Sequence, residues 1–499
     1  MPQAIPHVER SGKVCIAPEG GVLIDVSRLG DVVEEALIKA RGIIAAGMAS
    51  GEAELQKEFL AYWDADAGDK YFRVVTPLPL KEGPIAMLHA LRSAQHPYEH
   101  LIAATAEEAK NWASRAGFAV RIIDAAYILP LEKSLIPPRF GEKWTVKQFF
   151  DRLAGTGIDT DGVLTWLLDQ PKATCDIIIT MPGPSARIAV GVRLQPSPGP
   201  AKPNTGHYYE EHPDAPARRF ELTRLDTDFL IPRAGGLLSL ATKTVVLVGC
   251  GAVGSQAAKM LALLGVGKLH LIDPELLGSE NVHRHLLGVE YIHQFKASSL
   301  AAVLGHGFPH SIFKAHDKGA LEVLSADPDC FLSADAILMA TGDETLELRF
   351  DSLLKEDPPR VHTWVDPLGL GGHAIAVGLG DAGCLHCLYE TADSGMLANT
   401  SSFVRPGQLL RKSFAGCGGD FLPYSALDAI RTATEASALL SGALLGQEKA
   451  CALVSWHGDS AAALQEGVKL SEKVALFAPG ERKRYNDVRR LDCPNCGRK

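Results

Sequence analysis

Thr244 to Ser255 reads Thr-Val-Val-Leu-Val-Gly-Cys-Gly-Ala-Val-Gly-Ser and constrains the fold more than any other stretch. It supplies a buried strand, a phosphate loop and a helix start in one short run. Val245 to Val248 form the β-branched run of a strand buried on both faces. Gly249, Gly251 and Gly254 follow with the spacing of a dinucleotide-type loop. Glycine is needed there because backbone N–H groups must approach phosphate closely at a helix N-terminus. A second strand, Lys268 to Ile272, ends in Asp273, where a carboxylate can accept hydrogen bonds from ribose hydroxyls. The expected fold class is α/β, with a Rossmann-like, mainly parallel sheet. At this point NAD, FAD and ATP fit equally.

The downstream residues separate them. Asn281 and Arg284 stand just beyond the ribose carboxylate, and Lys296 follows in Gln-Phe-Lys-Ala. A redox cofactor has no need of two cations there. An enzyme attacking the α-phosphate of ATP does, because negative charge builds on that phosphate and fixed Arg and Lys donors stabilise it. A later strand, Ala336 to Ala340, runs into Thr341-Gly342-Asp343, where a carboxylate at a strand's C-terminal end can hold Mg²⁺ against the phosphates.

With this ordered set the chain resembles, over its second half, the adenylating domain shared by ubiquitin-activating enzymes and the bacterial enzymes that activate sulfur-carrier proteins (ThiF/MoeB type). The resemblance implies that Gly249, Gly251, Gly254, Asp273 and Asn281 bind MgATP. It implies that Arg284, Lys296 and Asp343 catalyse adenylation of a partner protein's C-terminal glycine carboxylate. It also implies a homodimer, across which Arg233 could reach a phosphate. An ordinary Rossmann oxidoreductase with Arg284 and Lys296 on its surface is the competing reading.

Cys384-Leu-His-Cys387 and Cys493-Pro-Asn-Cys496 form two Cys-x-x-Cys knuckles, a spacing that lets both thiolates of a pair reach one tetrahedral ion. Zinc (Zn²⁺) is the natural occupant, in a structural site that ties the C-terminus back onto the domain. Redox dithiols or unrelated buried cysteines are the alternatives. The resemblance strengthens the zinc assignment, since relatives often carry zinc at two such knuckles. Cys417 sits among glycines ahead of an expected helix, where a thiol can act as a nucleophile. In ubiquitin-activating enzymes a cysteine in a similar place takes the acyl group from AMP as a thioester; the competing reading is a small residue packed in a turn. His362 and His373 flank a glycine-rich strand pair and read as hydrogen-bonded structural residues. His283, His285 and His386 have only their neighbourhood to recommend them.

The beginning of the chain, Ile5-Pro-His7 followed by a short glycine-containing run and Cys15, resembles a truncated segment of a ubiquitin-conjugating domain. That family has a His-Pro-Asn turn ahead of its acceptor cysteine, and Cys15 falls in the cysteine's place. Here Ile5 holds the histidine position and His7 the asparagine position, so the oxyanion-stabilising group departs from the pattern. The family's N-terminal helix and sheet would precede this turn, and only fourteen residues do. The order of segments matches bacterial fusions of conjugating and activating domains found in antiphage systems that signal through cyclic oligonucleotides. There the substrate is the C-terminus of a cGAS-like nucleotidyltransferase.

A chain of 499 residues allows two or three domains. The expected division is a conjugating-like segment over 1–63, an α+β linker domain over 64–235 and the adenylation domain over 236–499. Helices are expected over Val32–Ala46, Ala104–Ala116 and Val146–Leu153, with helical signals from Arg218 to Leu240. The Pro-rich tract from Gln195 is expected to be a loop. A net charge of −9 with no long basic stretch argues against nucleic acid as the main ligand. No apolar run reaches membrane length, and ten cysteines read as ligands and nucleophiles, so a cytoplasmic protein without a membrane partner is expected.

The combined expectation is ATP-dependent adenylation of a protein tail, with transfer to Cys417 and then Cys15. The partner would be a cGAS-like nucleotidyltransferase or a ubiquitin-like protein. A sulfur-carrier adenylyltransferase without thioester transfer, or an inert nucleotide-binding scaffold, are the alternatives.

Overall fold

The computed structural model describes residues 7–8, 12–16, 23–50, 55–56, 59–63, 71–91, 99–138, 141–170, 174–194, 212–354, 358–380, 383–391, 397–408, 410–413 and 420–497. Cys417, Ile5 and the Pro-rich tract over 195–204 lie outside them. The chain divides into two compact units, Met1–Leu230 and Ile231–Lys499.

In the first unit, helix α1 (Leu29–Ser50) extends the expected span at both ends. It leaves Leu29, Val33, Leu37, Ile38 and Met48 exposed. Strands β1 (Tyr71–Val74), β2 (Gly83–Leu91), β3 (Glu99–Ala103), β4 (Ala119–Pro130), β5 (Trp144–Thr145), β6 (Cys175–Met181), β7 (Ile188–Leu194) and β8 (Pro216–Arg224) form one sheet in the order β1-β3-β2-β4-β6-β7-β8-β5. Because β8 also pairs in parallel with β1, seven strands close on themselves, with β5 attached to β8. Closure leaves no unpaired edge among the seven. Helices α2 (Ala106–Arg115), α3 (Val146–Ala154) and α4 (Asp161–Asp169) cover it; α3 starts at a capping box between Thr145 and Gln148.

The helical signal from Arg218 fails over its first part, because that stretch is β8. Ala217, Arg219 and Phe220 are buried while Arg218 and Glu221 are exposed, and the Arg, Glu and Leu content disguised the strand. The helix Thr227–Arg233 follows it.

The second unit is built on β9 (Thr244–Val248), β10 (Lys268–Ile272), β11 (Ile312–His316), β12 (Ala336–Met339), β13 (Arg360–Asp366), β14 (Gly371–Val377), β19 (Ala452–His457) and β20 (Arg482–Tyr485), ordered β11-β10-β9-β12-β13-β14-β19-β20. Two small ribbons, β15 (Tyr389–Thr391) with β16 (Leu397–Asn399) and β17 (Lys412–Ser413) with β18 (Asp420–Phe421), lie between β14 and β19 in sequence.

The sheet is mixed rather than mainly parallel. Strands β11 to β13 are parallel, but β14, β19 and β20 join antiparallel. The reversal comes directly after β13, at Pro367–Gly369, where Leu368 and Gly369 both take positive φ and turn the chain straight back. Helix α5 (Ala252–Leu264) and α10 (Ala426–Leu444) share the core on one sheet face with Leu247, Leu271 and Leu338. Helix α7 (Ala320–Ala326) and α8 (Asp329–Leu332) share the core on the other face with Val246, Val248 and Ile272. Helices α6 (Lys296–Gly307) and α9 (Glu344–Leu354) complete the parallel half. Strand order reverses between β10 and β12, so the C-terminal ends of β9 and β12 form the crevice where open α/β sheets bind ligands. No helix among the described residues is long and apolar enough to cross a membrane.

Residues 59–63 belong to the core of the first unit. Trp63 is 2% exposed, meets Trp144 edge-on at 5.5 Å and donates its indole N–H to the Phe220 carbonyl at 3.0 Å. Trp63→Ala should therefore lower the urea stability of this unit by about 3–5 kcal/mol, and Trp63→Phe by less. Equal midpoints for Trp63→Ala and wild type would show that this stretch is no part of the core.

Candidate functional site

The loop after β9 needs its glycines for different reasons. Gly249 has φ +88°, and a Cβ there would lie 2.5 Å from the Ala340 carbonyl oxygen at the end of β12. At Gly254 a Cβ would stand 1.8 Å from the Gly249 carbonyl oxygen, so helix and loop touch there. Gly251 is the N-cap of α5 with no side-chain cap, and a Cβ on it would meet nothing within 4 Å. The first turn of α5 thus presents uncapped N–H groups to an open cradle, which suits an anion.

The Cys250 peptide is held from both sides. Its N–H donates to Asp273 Oδ2 at 2.7 Å, and its carbonyl accepts from His285 Nε2 at 2.6 Å. Asp273 lies at the end of β10, 6% exposed, and its other oxygen accepts from the Glu275 N–H at 2.8 Å. Burial pushes the Asp273 pKa up, against these N–H groups and Lys296, which pull it down. His285 Nδ1 accepts from the Leu287 N–H at 3.0 Å, so the proton sits on Nε2 and the ring is neutral. Burial lowers its pKa to about 4.

The two cations come from the segment after β10. Lys296, at the first turn of α6, is 5% exposed and pairs at 2.5 Å with Glu275, which is itself mostly exposed. Its charge acts on Asp273, on the Cys250 thiol and, with Arg284, on Tyr424. Arg284 stacks over the Tyr424 ring at 4.6 Å and donates from Nη1 to the Leu422 carbonyl at 3.1 Å. Its buried Nε has no hydrogen-bond partner among the described residues. Asn281 ends a short 3-10 turn and donates to Glu280 at 2.9 Å.

Asp343 is exposed beyond β12 and accepts from the Leu346 N–H at 3.0 Å, capping α9. The turn before it is braced by Glu347, whose Oε1 accepts from the Thr341 hydroxyl at 2.7 Å and whose Oε2 meets His362 Nδ1 at 3.0 Å. Burial opposes a charge on His362, but the Asp351 carboxylate 3.8 Å from Nε2 and the hydrogen bond to Glu347 outweigh it and raise its pKa. His373 contacts Ser455 and Asp366.

Glu275, His285, Glu347 and Tyr424 shape this site, and sequence reading gave none of them a role. The only signal of His285 was its place beside Arg284.

The two knuckles meet. Cys384 Sγ lies 4.0 Å from Cys387 Sγ and 3.7 Å from Cys493 Sγ, and Cys387 Sγ lies 3.3 Å from Cys496 Sγ. Four thiolates at roughly 2.3 Å from a tetrahedral ion stand about 3.8 Å apart, so the donors fit one ion. Asn495 donates to Cys384 Sγ at 3.5 Å, an outer-shell contact of the kind that orients a ligand.

In the first unit Cys15 is exposed beside the isolated antiparallel bridge between Val8 and Val14, and its N–H donates to the His7 carbonyl at 2.8 Å. His7 takes φ +63° there. Arg233 is exposed.

Two outcomes test this geometry. Gly251→Ala should keep the fold within about 1 kcal/mol while weakening ATP binding at least about tenfold in calorimetric titration, because the new methyl enters the cradle. Gly254→Ala should cost about 3 kcal/mol or more in denaturation. Between pH 6.5 and about 4 the unfolded His285 binds a proton that the folded one refuses, so stability falls as pH is lowered through that window. His285→Gln should remove that part of the slope, on the order of 3 kcal/mol in total; an unchanged pH profile would show that His285 does not titrate as described.

Residues 227–443 match the ThiF family, and residues 1–72 match the Prokaryotic E2 family B. The chain is 28% identical over 224 residues to the ATP-dependent ubiquitin transferase-like protein Cap2 of Escherichia coli (strain TW11681), covering 42% of this chain and 36% of that protein. It is 22% identical over 457 residues to the protein of the same name from Pseudomonas aeruginosa (strain BWHPSA011 / Pa011), covering 87% and 79%. Among solved structures, Escherichia coli MccB with ATP overlaps at a TM-score of 0.37 and 15% identity, covering 52% of this chain and 67% of that one. The chain spans little more than a third of the Escherichia coli relative's length, and most of the Pseudomonas one. It joins a ThiF-type adenylating domain to a prokaryotic E2-like segment.

Proposed function

We propose that the chain uses ATP to adenylate the C-terminal carboxylate of a protein and then passes the acyl group to a cysteine as a thioester. The observation that carries this reading is the buried Nε of Arg284, without a partner among the described residues, in the same site as the buried Lys296 and the uncapped start of α5. A triphosphate satisfies all three.

In this reading the triphosphate lies on the first turn of α5, and Arg284 Nε and Lys296 Nζ donate to the phosphate oxygens. Lys296 releases the exposed Glu275 to do so. One carboxylate oxygen of the tail attacks the α-phosphorus, the bond to the β-phosphate oxygen breaks, and pyrophosphate leaves with the electron pair. Arg284 and Lys296 hold the charge that accumulates on the α-phosphate oxygens. Asp273 and Asn281 orient the nucleoside. Asp343, with one oxygen engaged as a helix cap, would hold Mg²⁺ through the other, where the ion neutralises phosphate charge. The Cys417 thiolate then attacks the acyl carbon, and AMP leaves. Leu422, the partner of Arg284, is five residues from Cys417, a tether of at most roughly 18 Å. Cys15, exposed, is the next acceptor. The four cysteines take Zn²⁺ as a structural ion, since four closed thiolate donors leave no position for substrate. For the tail we favour a cGAS-like nucleotidyltransferase or a ubiquitin-like protein; the two relatives, named as ubiquitin transferase-like proteins, speak for a ubiquitin-like tail.

The test is ATP–pyrophosphate exchange with peptides ending in glycine, as free carboxylates and as amides. Exchange should require the carboxylate. Arg284→Ala should slow it by roughly 10²–10³ while ATP affinity changes far less. Exchange with the amide, or a wild-type rate in Arg284→Ala, overturns the proposal.

A further inference from the structure

One cluster of donor side chains plays no part in this chemistry and lies on the opposite face of the sheet from α5. His270 stands in the middle of β10, His316 ends β11, and Cys330 lies in α8. His270 Nδ1 is 3.0 Å from His316 Nε2 and 3.2 Å from Cys330 Sγ, and Cys330 Sγ is 3.9 Å from His316 Nε2. We propose that these three side chains are a second metal centre, binding Zn²⁺ through two imidazole nitrogens and one thiolate.

The distances are those an ion would impose. Bonds of roughly 2.0–2.1 Å to nitrogen and 2.3 Å to sulfur at tetrahedral angles put N and N about 3.3 Å apart and N and S about 3.6 Å apart. Each observed separation lies within a few tenths of an ångström of these values. Hydrogen bonding alone accounts for the group less well. His270 Nδ1 faces two partners at once, and as donor or acceptor it has a single hydrogen or a single lone pair for them. A cation uses the lone pairs of both rings and the thiolate together.

The fold brings the donors together before any ion arrives. Ile272 pairs with His316 across the parallel β10–β11 ladder, and His270 lies one step back on the same sheet face as Ile272. Cys330 is delivered by α8, which packs through Phe331 into the core that Ile272 shares. His270 and Cys330 are 7% and 6% exposed, whereas His316 is only half-buried, so the site opens through the edge strand. The exposed Asp327 acts electrostatically on all three donors, while Lys268 and Lys314 oppose it. Water is suited to the remaining position. Two imidazoles with one thiolate favour zinc over the harder magnesium or calcium. Bound there, the ion staples β11 and α8 to β10, at the outer edge of the nucleotide-binding half of the sheet.

The test compares metal uptake by the full-length chain, stripped by chelator under reducing conditions and titrated with Zn²⁺ and then Co²⁺. Wild type should bind one equivalent more than His316→Gln and one more than Cys330→Ser. The cobalt form of that extra equivalent should show the weak charge-transfer band of a single thiolate. Zn²⁺ should raise the melting temperature of wild type more than that of either variant. His316 lies half-exposed on an edge strand, so His316→Gln decides the matter should Cys330→Ser fail to fold. Equal uptake by wild type and His316→Gln overturns the proposal, whatever the four-cysteine cluster binds and whether or not the chain adenylates.

Discussion

The parallel half of the second unit depends on how Cys250 is held. Its N–H is taken by a buried carboxylate and its carbonyl by a buried neutral imidazole. The loop between β9 and α5 therefore cannot turn its first N–H towards a ligand, and the anion cradle is displaced onto Gly251 and the first turn of the helix. A buried carboxylate with two backbone donors holds its position far better than one left to water, because those charge-assisted bonds are short and strong. The two clamping residues belong to the segment that supplies Arg284 and Lys296, so the loop and the cations are positioned by one stretch of chain.

That arrangement concentrates positive charge where no anion among the described residues fully answers it. Lys296 has Glu275 as partner, but on the solvent side, where screening weakens the pair. Arg284 spends one nitrogen on a carbonyl and its face on a ring, leaving Nε unanswered among the described residues. The four-cysteine cluster poses the opposite problem, since thiolates 3.3 to 4.0 Å apart repel unless a cation sits among them. In the proposed reading both places take a charge from outside the chain, phosphate at one and Zn²⁺ at the other.

What the sequence made legible was local. The strand Lys268–Ile272 falls where it was expected, the glycine loop opens a helix, and the two knuckles meet, because each rests on a short spacing read within one element. What it hid depends on distant partners. His285 reads as any histidine until Cys250 is placed against it across 35 positions. Glu347 matters only because Thr341 and His362 converge on it. The closure of the first sheet through β8 and β1 joins segments some 150 residues apart, and the antiparallel half of the second sheet hinges on two positive-φ residues after Pro367. The stretch from Arg218 was misjudged for a related reason. Its charged residues favour a helix in isolation, yet pairing with β7 and β1 outweighs that preference.

The contact of Arg284 with Leu422 and Tyr424 links two parts of the sequence that local patterns kept apart. Tyr424 lies directly before Ser425, which forms a capping box with Asp428 and starts α10. That helix is packed against α5 through Ala429, Ala433 and Ala436. The start of α10 and the Arg284 guanidinium therefore meet at the same point of the chain. In the proposed reaction, the side chain that donates to the phosphate is the one that already stacks on Tyr424, so the ligand and the start of α10 share a single guanidinium.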